Sequence, residues 1–219
     1  VAITPDQAAF VFGPWAADDT IVGPAHVTYL DEDGDPADLS GTILSNGRLT
    51  DPAGLHAEAP ASLSGAILSA IDYQLPGAPF LIAGVWQLDV QLQVDGNLFR
   101  TAPATFVVEA GDGWATIAAA RAGWRDAPAA DATLWRLLDV ARQQVIEWAP
   151  ADAFAVPGSR PAAHLVTAQL TQARNVWNAV KTDPASQGIG DEGFVIRPFP
   201  MDWTVKNMIR PPRAKPVVK

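Results

Sequence analysis

Val85-Trp86-Gln87-Leu88-Asp89-Val90-Gln91-Leu92-Gln93-Val94 decides the class of the N-terminal half. Successive side chains of an extended chain point to opposite faces. Trp86, Leu88, Val90, Leu92 and Val94 therefore share one side, and Gln87, Asp89, Gln91 and Gln93 the other. The pattern predicts a strand with one face in a core and one in water. Asp95-Gly96 follows as a type I′ hairpin signal, and the chain returns through Leu98-Phe99-Arg100 and Thr105-Phe106-Val107-Val108.

Upstream, Ala25-His26-Val27-Thr28-Tyr29-Leu30 reads as a shorter strand ended by the acidic turn Asp31-Glu32-Asp33-Gly34-Asp35-Pro36. Ile67, Ile71, Tyr73 and Leu75 fall at even separations before Pro76-Gly77, which suits another strand. Short strands at this turn spacing predict an antiparallel β-sandwich of immunoglobulin-like type over residues 1–112. The Cys-Trp-Cys pattern of true immunoglobulin domains is absent, because the chain has no cysteine.

Downstream, Gly111-Asp112-Gly113 marks a hinge where period 2 gives way to helical spacing. Thr116 is placed to cap a helix running through Arg125, with Ile117, Ala120 and Trp124 on one face and Asp126-Ala127-Pro128 as its stop. Asp131 is placed to cap a longer helix over residues 132–149, with the stripe Leu134, Leu137, Leu138, Ala141, Val145 and Trp148. A third helix is expected from Pro161 to Lys181, with the stripe Val166, Leu170, Ala173, Trp177 and Val180 widened by Leu165 and Val176. The expected fold class is α+β as two domains: the sandwich over 1–112, and a small helical bundle over 113–219.

The last stretch, from about residue 190, reads as an extended docking arm. Pro198 and Pro200 fix the backbone around Phe199 and withhold two N–H donors, so Arg197 to Pro200 cannot form a central strand. Phe194, Phe199, Met201, Trp203, Met208 and Ile209 still need burial, either on the chain's own helices or on a neighbouring subunit. Gly193-Phe194…Arg197…Pro200-Met201-Asp202-Trp203-Thr204-Val205-Lys206…Ile209-Arg210-Pro211 resembles the closing segment of head-to-tail adaptor (connector) proteins of tailed bacteriophages. The resemblance reaches back to about Trp114. A second one joins Tyr29-Leu30-Asp31-Glu32-Asp33-Gly34-Asp35-Pro36-Ala37-Asp38-Leu39-Ser40-Gly41 and Gly84-Val85-Trp86 to the N-terminal β-sandwiches of phage baseplate upper proteins.

The adaptor resemblance implies a homo-oligomeric ring, a dodecamer matched to the portal, in the head-tail neck of a virion assembled in the host cytoplasm. The portal and the stopper or next neck protein would be its partners, and DNA would pass through without sequence-specific binding. The interface side chains would be Arg197, Phe199, Met201, Trp203, Lys206, Arg210, Arg213 and Lys215.

Charge divides the chain at the same point as periodicity. Residues 1–112 hold 15 Asp and Glu against 2 Lys and Arg, and residues 113–219 hold 9 against 13. Two halves of opposite sign suggest two domains with different neighbours. Lys206, Arg210, Arg213, Lys215 and Lys219 follow Asp202 with no further acid, which suits either a docking terminus or a solvated tail. No apolar run approaches the ~18 residues of a membrane span, and the N-terminus lacks a secretion-signal layout, so a soluble protein is expected.

Candidate chemistry is sparse. Gly188-Ile189-Gly190-Asp191-Glu192-Gly193 matches G-x-G-x-x-G, yet it follows a helix and sets two acids where a pyrophosphate would lie. The glycine of the Asp31–Asp38 turn stands fourth where an EF-hand needs it sixth, which favours a solvated hairpin. His26, His56 and His164 lie in different elements without metal spacing. No nucleophile elbow or P-loop occurs, so no catalytic, cofactor or metal residue is assigned. Three classes remain: an adaptor, a binding module whose sandwich recognises carbohydrate or another virion protein, and a hydrolase with an unrecognised site.

Overall fold

The computed structural model describes residues 3–7, 9–10, 12–17, 24–65, 67–75, 80, 82–94, 96–154, 160–182 and 201–210. In chain order it has strands β1 (Thr4–Pro5), β2 (Trp15–Ala16), β3 (Pro24–Leu30), β4 (Ile43–Thr50), β5 (His56–Glu58), β6 (Ala61–Leu63), β7 (Ala70–Gln74), β8 (Gly84–Val94), β9 (Asn97–Arg100) and β10 (Ala104–Glu109). The helices are α1 (Ile117–Gly123), α2 (Asp131–Trp148), α3 (Ala163–Thr182) and α4 (Trp203–Ile209), with a 3-10 turn at Ala151–Phe154. The chain groups into two compact units, Val1–Ala110 and Gly111–Lys219.

In the first unit the sheets run β1-β3-β7-β6 and β2-β10-β8-β4-β5, with β9 also paired to β8. All pairings are antiparallel except β2 with β10, a parallel contact at one edge that departs from the antiparallel expectation. The inward residues of both sheets meet in one core. Val27, Tyr29, Ile71 and Tyr73 come from one sheet, and Leu49, Trp86, Leu88, Val90, Leu92, Phe106 and Val108 from the other. The edge strands are short, 2 or 3 residues each apart from the 4 of β9, which limits the unpaired backbone offered to other chains.

β8 alternates as expected except that Asp89, on the face away from the core, is buried. Sequence reasoning passed over β1, β2, β5, β6 and the longest of these strands, β4. Asn46-Gly47 interrupts its alternation, and in the fold this pair sits at a register shift between Ser45 and Arg48. Gly47 is needed there. A Cβ at this position would stand 2.0 Å from the Ala59 carbonyl oxygen, and the Gly47 carbonyl accepts the Ala59 N–H at 2.9 Å. On the other side of β8 the strand line breaks between β9 and β10. There Thr101 donates its N–H to the Val90 carbonyl at 3.0 Å, and its hydroxyl accepts the Val90 N–H at 3.2 Å. A side chain thus completes the ladder beside Pro103, which has no N–H to give.

In the helical unit Thr116 caps α1 as expected, accepting the Ala119 N–H at 3.1 Å, but the helix stops at Gly123, short of Arg125. Asp131 is not a cap. Ala130 occupies that position without a side-chain bond, and Asp131 is the first helical residue, ion-paired to Arg121 at 2.6 Å. The α2 stripe is buried at Leu134, Leu137, Leu138, Ala141 and Val145, whereas Trp148 stays 38% exposed.

The buried line of α3 is rotated from the expected one. It runs Leu165, Ala168, Gln169, Gln172, Ala173 and Val176, while Val166, Leu170, Trp177 and Val180 are half-buried. Hydrogen bonds let the glutamines go inside. Gln169 accepts the Ala115 N–H at 3.0 Å and donates to the Leu138 carbonyl at 2.9 Å, and Gln172 donates to the Gln144 side chain at 2.7 Å.

The chain's two tyrosines, Tyr29 and Tyr73, meet inside the β core with their hydroxyls 2.5 Å apart. Burial, reinforced by the negative charge of Asp89, pushes both phenols above their ordinary value of 10.0. The folded state therefore holds these protons more tightly than the unfolded chain. Any stability so derived is intact below the ordinary phenol range and is lost as pH rises through it toward the folded values. In an absorbance titration the native protein should show no tyrosinate step near pH ~10, with both phenols ionising together when alkali unfolds the chain. In denaturant both should titrate normally. A native half-step near the ordinary value would contradict the buried pair.

Candidate functional site

The segment around Asp202 is helical from Trp203, which corrects the expectation of an extended arm through these residues. Seven residues are too few to hold a helix in water, so α4 depends on what it packs against. Val205 and Ile209, one turn apart, are buried in the seam between α2 and α3, among Val145, Ala149, Leu165 and Ala168. Met201 and Met208 flank this seam with Trp114 and Phe154. Each fully buried aliphatic side chain contributes about 1.5–3 kcal/mol before ordering costs.

One carboxylate fixes the start of α4. Oδ1 of Asp202 accepts the Val205 N–H at 2.8 Å, while its Oδ2 accepts the Asn175 amide of α3 at 2.8 Å. The cap and the tertiary anchor are thus one side chain. Spacings of three and four put Trp203, Lys206 and Arg210 on one side of the helix, turned away from Val205 and Ile209, with Trp203 and Arg210 exposed and Lys206 half-buried.

On that outer face Trp203 is 75% exposed. The Lys206 ammonium lies 4.8 Å and the Arg210 guanidinium 5.2 Å from the centre of the Trp148 ring. Arg210 Nη2 also donates to the Ala149 carbonyl at 3.1 Å, satisfying a carbonyl at the end of α2. The result is a stripe of two tryptophans and two cations, held by contacts worth about 0.5–1 kcal/mol each at exposed sites.

Of the side chains expected at an interface, Met201, Trp203, Lys206 and Arg210 are therefore placed on or beside one short helix. Lys206 and Arg210 engage Trp148 of their own chain. Arg197, Phe199, Arg213 and Lys215 lie outside the described residues, as do the arm from 190 to 200 and the G-x-G-x-x-G match at 188–193. Sequence reasoning missed Asp202 as a cap and Val205 as an anchor. The signals were present: an Asp at the N-cap position, apolar residues four apart, and prolines on both sides.

The β unit holds a second charged cluster. Arg48 and Arg100, the only Lys or Arg in residues 1–112, both close on Asp89. Arg48 donates to Asp89 Oδ2 through Nε at 3.1 Å and Nη2 at 2.8 Å, and Arg100 donates to Oδ1. Asp89 was expected on a wet face, yet its side chain is only 4% exposed beneath these two arginines. The clip ties β4, β8 and β9 together on the sheet face away from the core.

Two turns of this unit share one design. In each, an aspartate Oδ1 accepts backbone N–H groups two and four residues on: Asp31 from Asp33 and Asp35, and Asp51 from Ala53 and Leu55. Gly34 and Gly54 supply φ of +85° and +86° at the equivalent point. The Asp31 oxygen is thus occupied by its own backbone, in keeping with a hairpin turn. His26 bonds Asp72 at 2.7 Å, His56 bonds Thr50 at 3.0 Å, and His164 is exposed. Among the described residues no group of His, Cys, Asp and Glu is arranged to hold a metal ion, and no helix is long and apolar enough to cross a membrane.

No protein-family model and no curated protein matches the chain. Among solved structures the chain is similar to the crystal structure of the Lin-41 filamin domain, at 19% identity, covering 46% of this chain and 89% of that one. The TM-score is 0.27.

The packing assigns opposite roles to two residues of α4. Ile209→Ala should destabilise the helical unit by roughly 2–5 kcal/mol, as for other buried aliphatic truncations. Trp203→Ala should stay within about 0.5 kcal/mol of the parent. Urea unfolding followed by circular dichroism at 222 nm distinguishes them. Equal losses for the two would mean that Trp203 is buried as Ile209 is.

Proposed function

We propose that this chain is a structural assembly protein of the head-to-tail adaptor type, non-catalytic and homo-oligomeric. In this reading it forms a ring that joins a portal to the next neck component and lets DNA pass. The observation that carries it is the closure of the helical unit. The segment that resembles the adaptor family's closing sequence is used twice, with Val205 and Ile209 sealing α2 and α3 while Trp203, Lys206 and Arg210 face outward. A helix that completes its own fold and keeps its polar-aromatic side available suits a subunit made to be joined to others.

The two compact units are taken as separable domains, an immunoglobulin-like sandwich and a helical adaptor body. Asp112 pairs with Arg142 of α2 at 2.5 Å, which supports grouping it with the helical unit. A second reading, a binding module, draws on one feature of the β unit. Ile43 and Leu98, 63% and 60% exposed, are each register partners of Gln93 on the outer sheet face.

Purified protein should form closed rings in negative-stain images, and should bind the portal from the same particle. Removing residues 211–219 should leave the circular dichroism spectrum unchanged but weaken that binding. Limited proteolysis should release two protected fragments cut near Ala110-Gly111. A monomer at all concentrations that binds glycans, with binding lost in Leu98→Asp, would replace the adaptor reading with the binding module.

A further inference from the structure

The two units carry unlike surfaces, and their chemistry is complementary. The β3–β4 turn exposes Glu32, Asp33 and Asp35 on a backbone already fixed by Asp31. The sister turn builds the same geometry with Pro52, Ala53 and Leu55 at the matching places, so turn formation does not require these acids. Both cations of residues 1–112 are committed to Asp89, so neither neutralises this turn.

The opposite surface is the outer face of α4. Lys206 and Arg210 are held over Trp148 beside the exposed Trp203, and arginine's forked donors leave groups beyond the one given to Ala149. Preset cations on an aromatic platform meet carboxylates at little ordering cost. The patch carries few charges, which fits a compact acidic turn. A long polyanion such as duplex DNA needs a continuous basic track and would be repelled by a chain of net charge −9.

We propose that the acidic β3–β4 turn of one copy docks on the Trp203, Lys206 and Arg210 face of the next, with Asp33 and Asp35 meeting the two cations. The contact joins two different patches, so it is heterologous, the kind that closes rings where the rotation permits. It rests on the self-assembly part of the reading above and names the surfaces that perform it.

Sedimentation velocity over a concentration series, at about 50 mM and about 0.5 M salt, reads the contact, because exposed charge pairs are screened at the higher value. Asp33→Lys with Asp35→Lys should weaken self-association roughly tenfold or more, as should Lys206→Glu with Arg210→Glu. Arg136→Glu, an exposed change elsewhere on α2, should have no effect. Circular dichroism of each variant should match the parent, and an equimolar mixture of the two reversed proteins should recover association, because each turn then faces a stripe of opposite sign.

If both reversed variants assemble as the parent does, this contact is overturned while the adaptor reading stands. If the parent is monomeric at every concentration and salt, both fail. Reversed stripes that lose duplex DNA retention but keep parental sedimentation would make the stripe a polyanion surface and overturn the proposal. Failure of the mixture to recover would overturn it as well.

Discussion

Burial of Val205 and Ile209 in the α2–α3 seam is the constraint on which the candidate site depends. A seven-residue helix has too few internal hydrogen bonds to repay its own nucleation, so its existence is a tertiary event. Once those two side chains are inside, the helical period fixes the rest. Trp203 and Arg210 are left exposed and Lys206 half-buried, and Trp148 at the end of α2 becomes the platform of the two cations. Asp202 sharpens the arrangement by setting both where the helix begins and how it lies on α3.

The β unit follows a different logic, in which a long central strand is supported by irregular neighbours. β8 is paired on one side by a strand with a register shift at Gly47 and on the other by two short strands joined through Thr101. Arg48 and Arg100 straddle both irregularities and meet on Asp89. Charged groups removed from water need partners, and this carboxylate has two, in an otherwise acidic unit. On the core side, the Tyr29–Tyr73 pair meets the same requirement for hydroxyls.

The acidic balance of the first unit and the basic balance of the second thus act at different scales. Net charge bears on encounter and association, and not on the fold. The fold uses charge only in specific pairs, such as Arg142 with Asp112 and Arg121 with Asp131, where it ties helices to the segments before them.

Much of this was legible in the chain itself. The alternation of Val85 to Val94, the change of period at Gly111 to Gly113, the Thr116 cap and five positions of the α2 stripe were each set by local periodicity or by a single capping group. The Asp31 turn was visible in the same way, because its hydrogen bonds close within five residues. What escaped the sequence depended on distant partners. β4 was hidden because Asn46-Gly47 has the composition of a turn, and only pairing with β8 makes it a bulged strand. The face of α3 was misjudged because Gln169 and Gln172 look polar until the carbonyl of Leu138 and the amide of Gln144 are brought to them. α4 was read as extended because its prolines spoke for the flanks, while its helix is stabilised by apolar side chains of α2 and α3 far away in sequence. Local signals fix elements whose energy is local, and only the assembled core decides those whose energy comes from elsewhere in the chain.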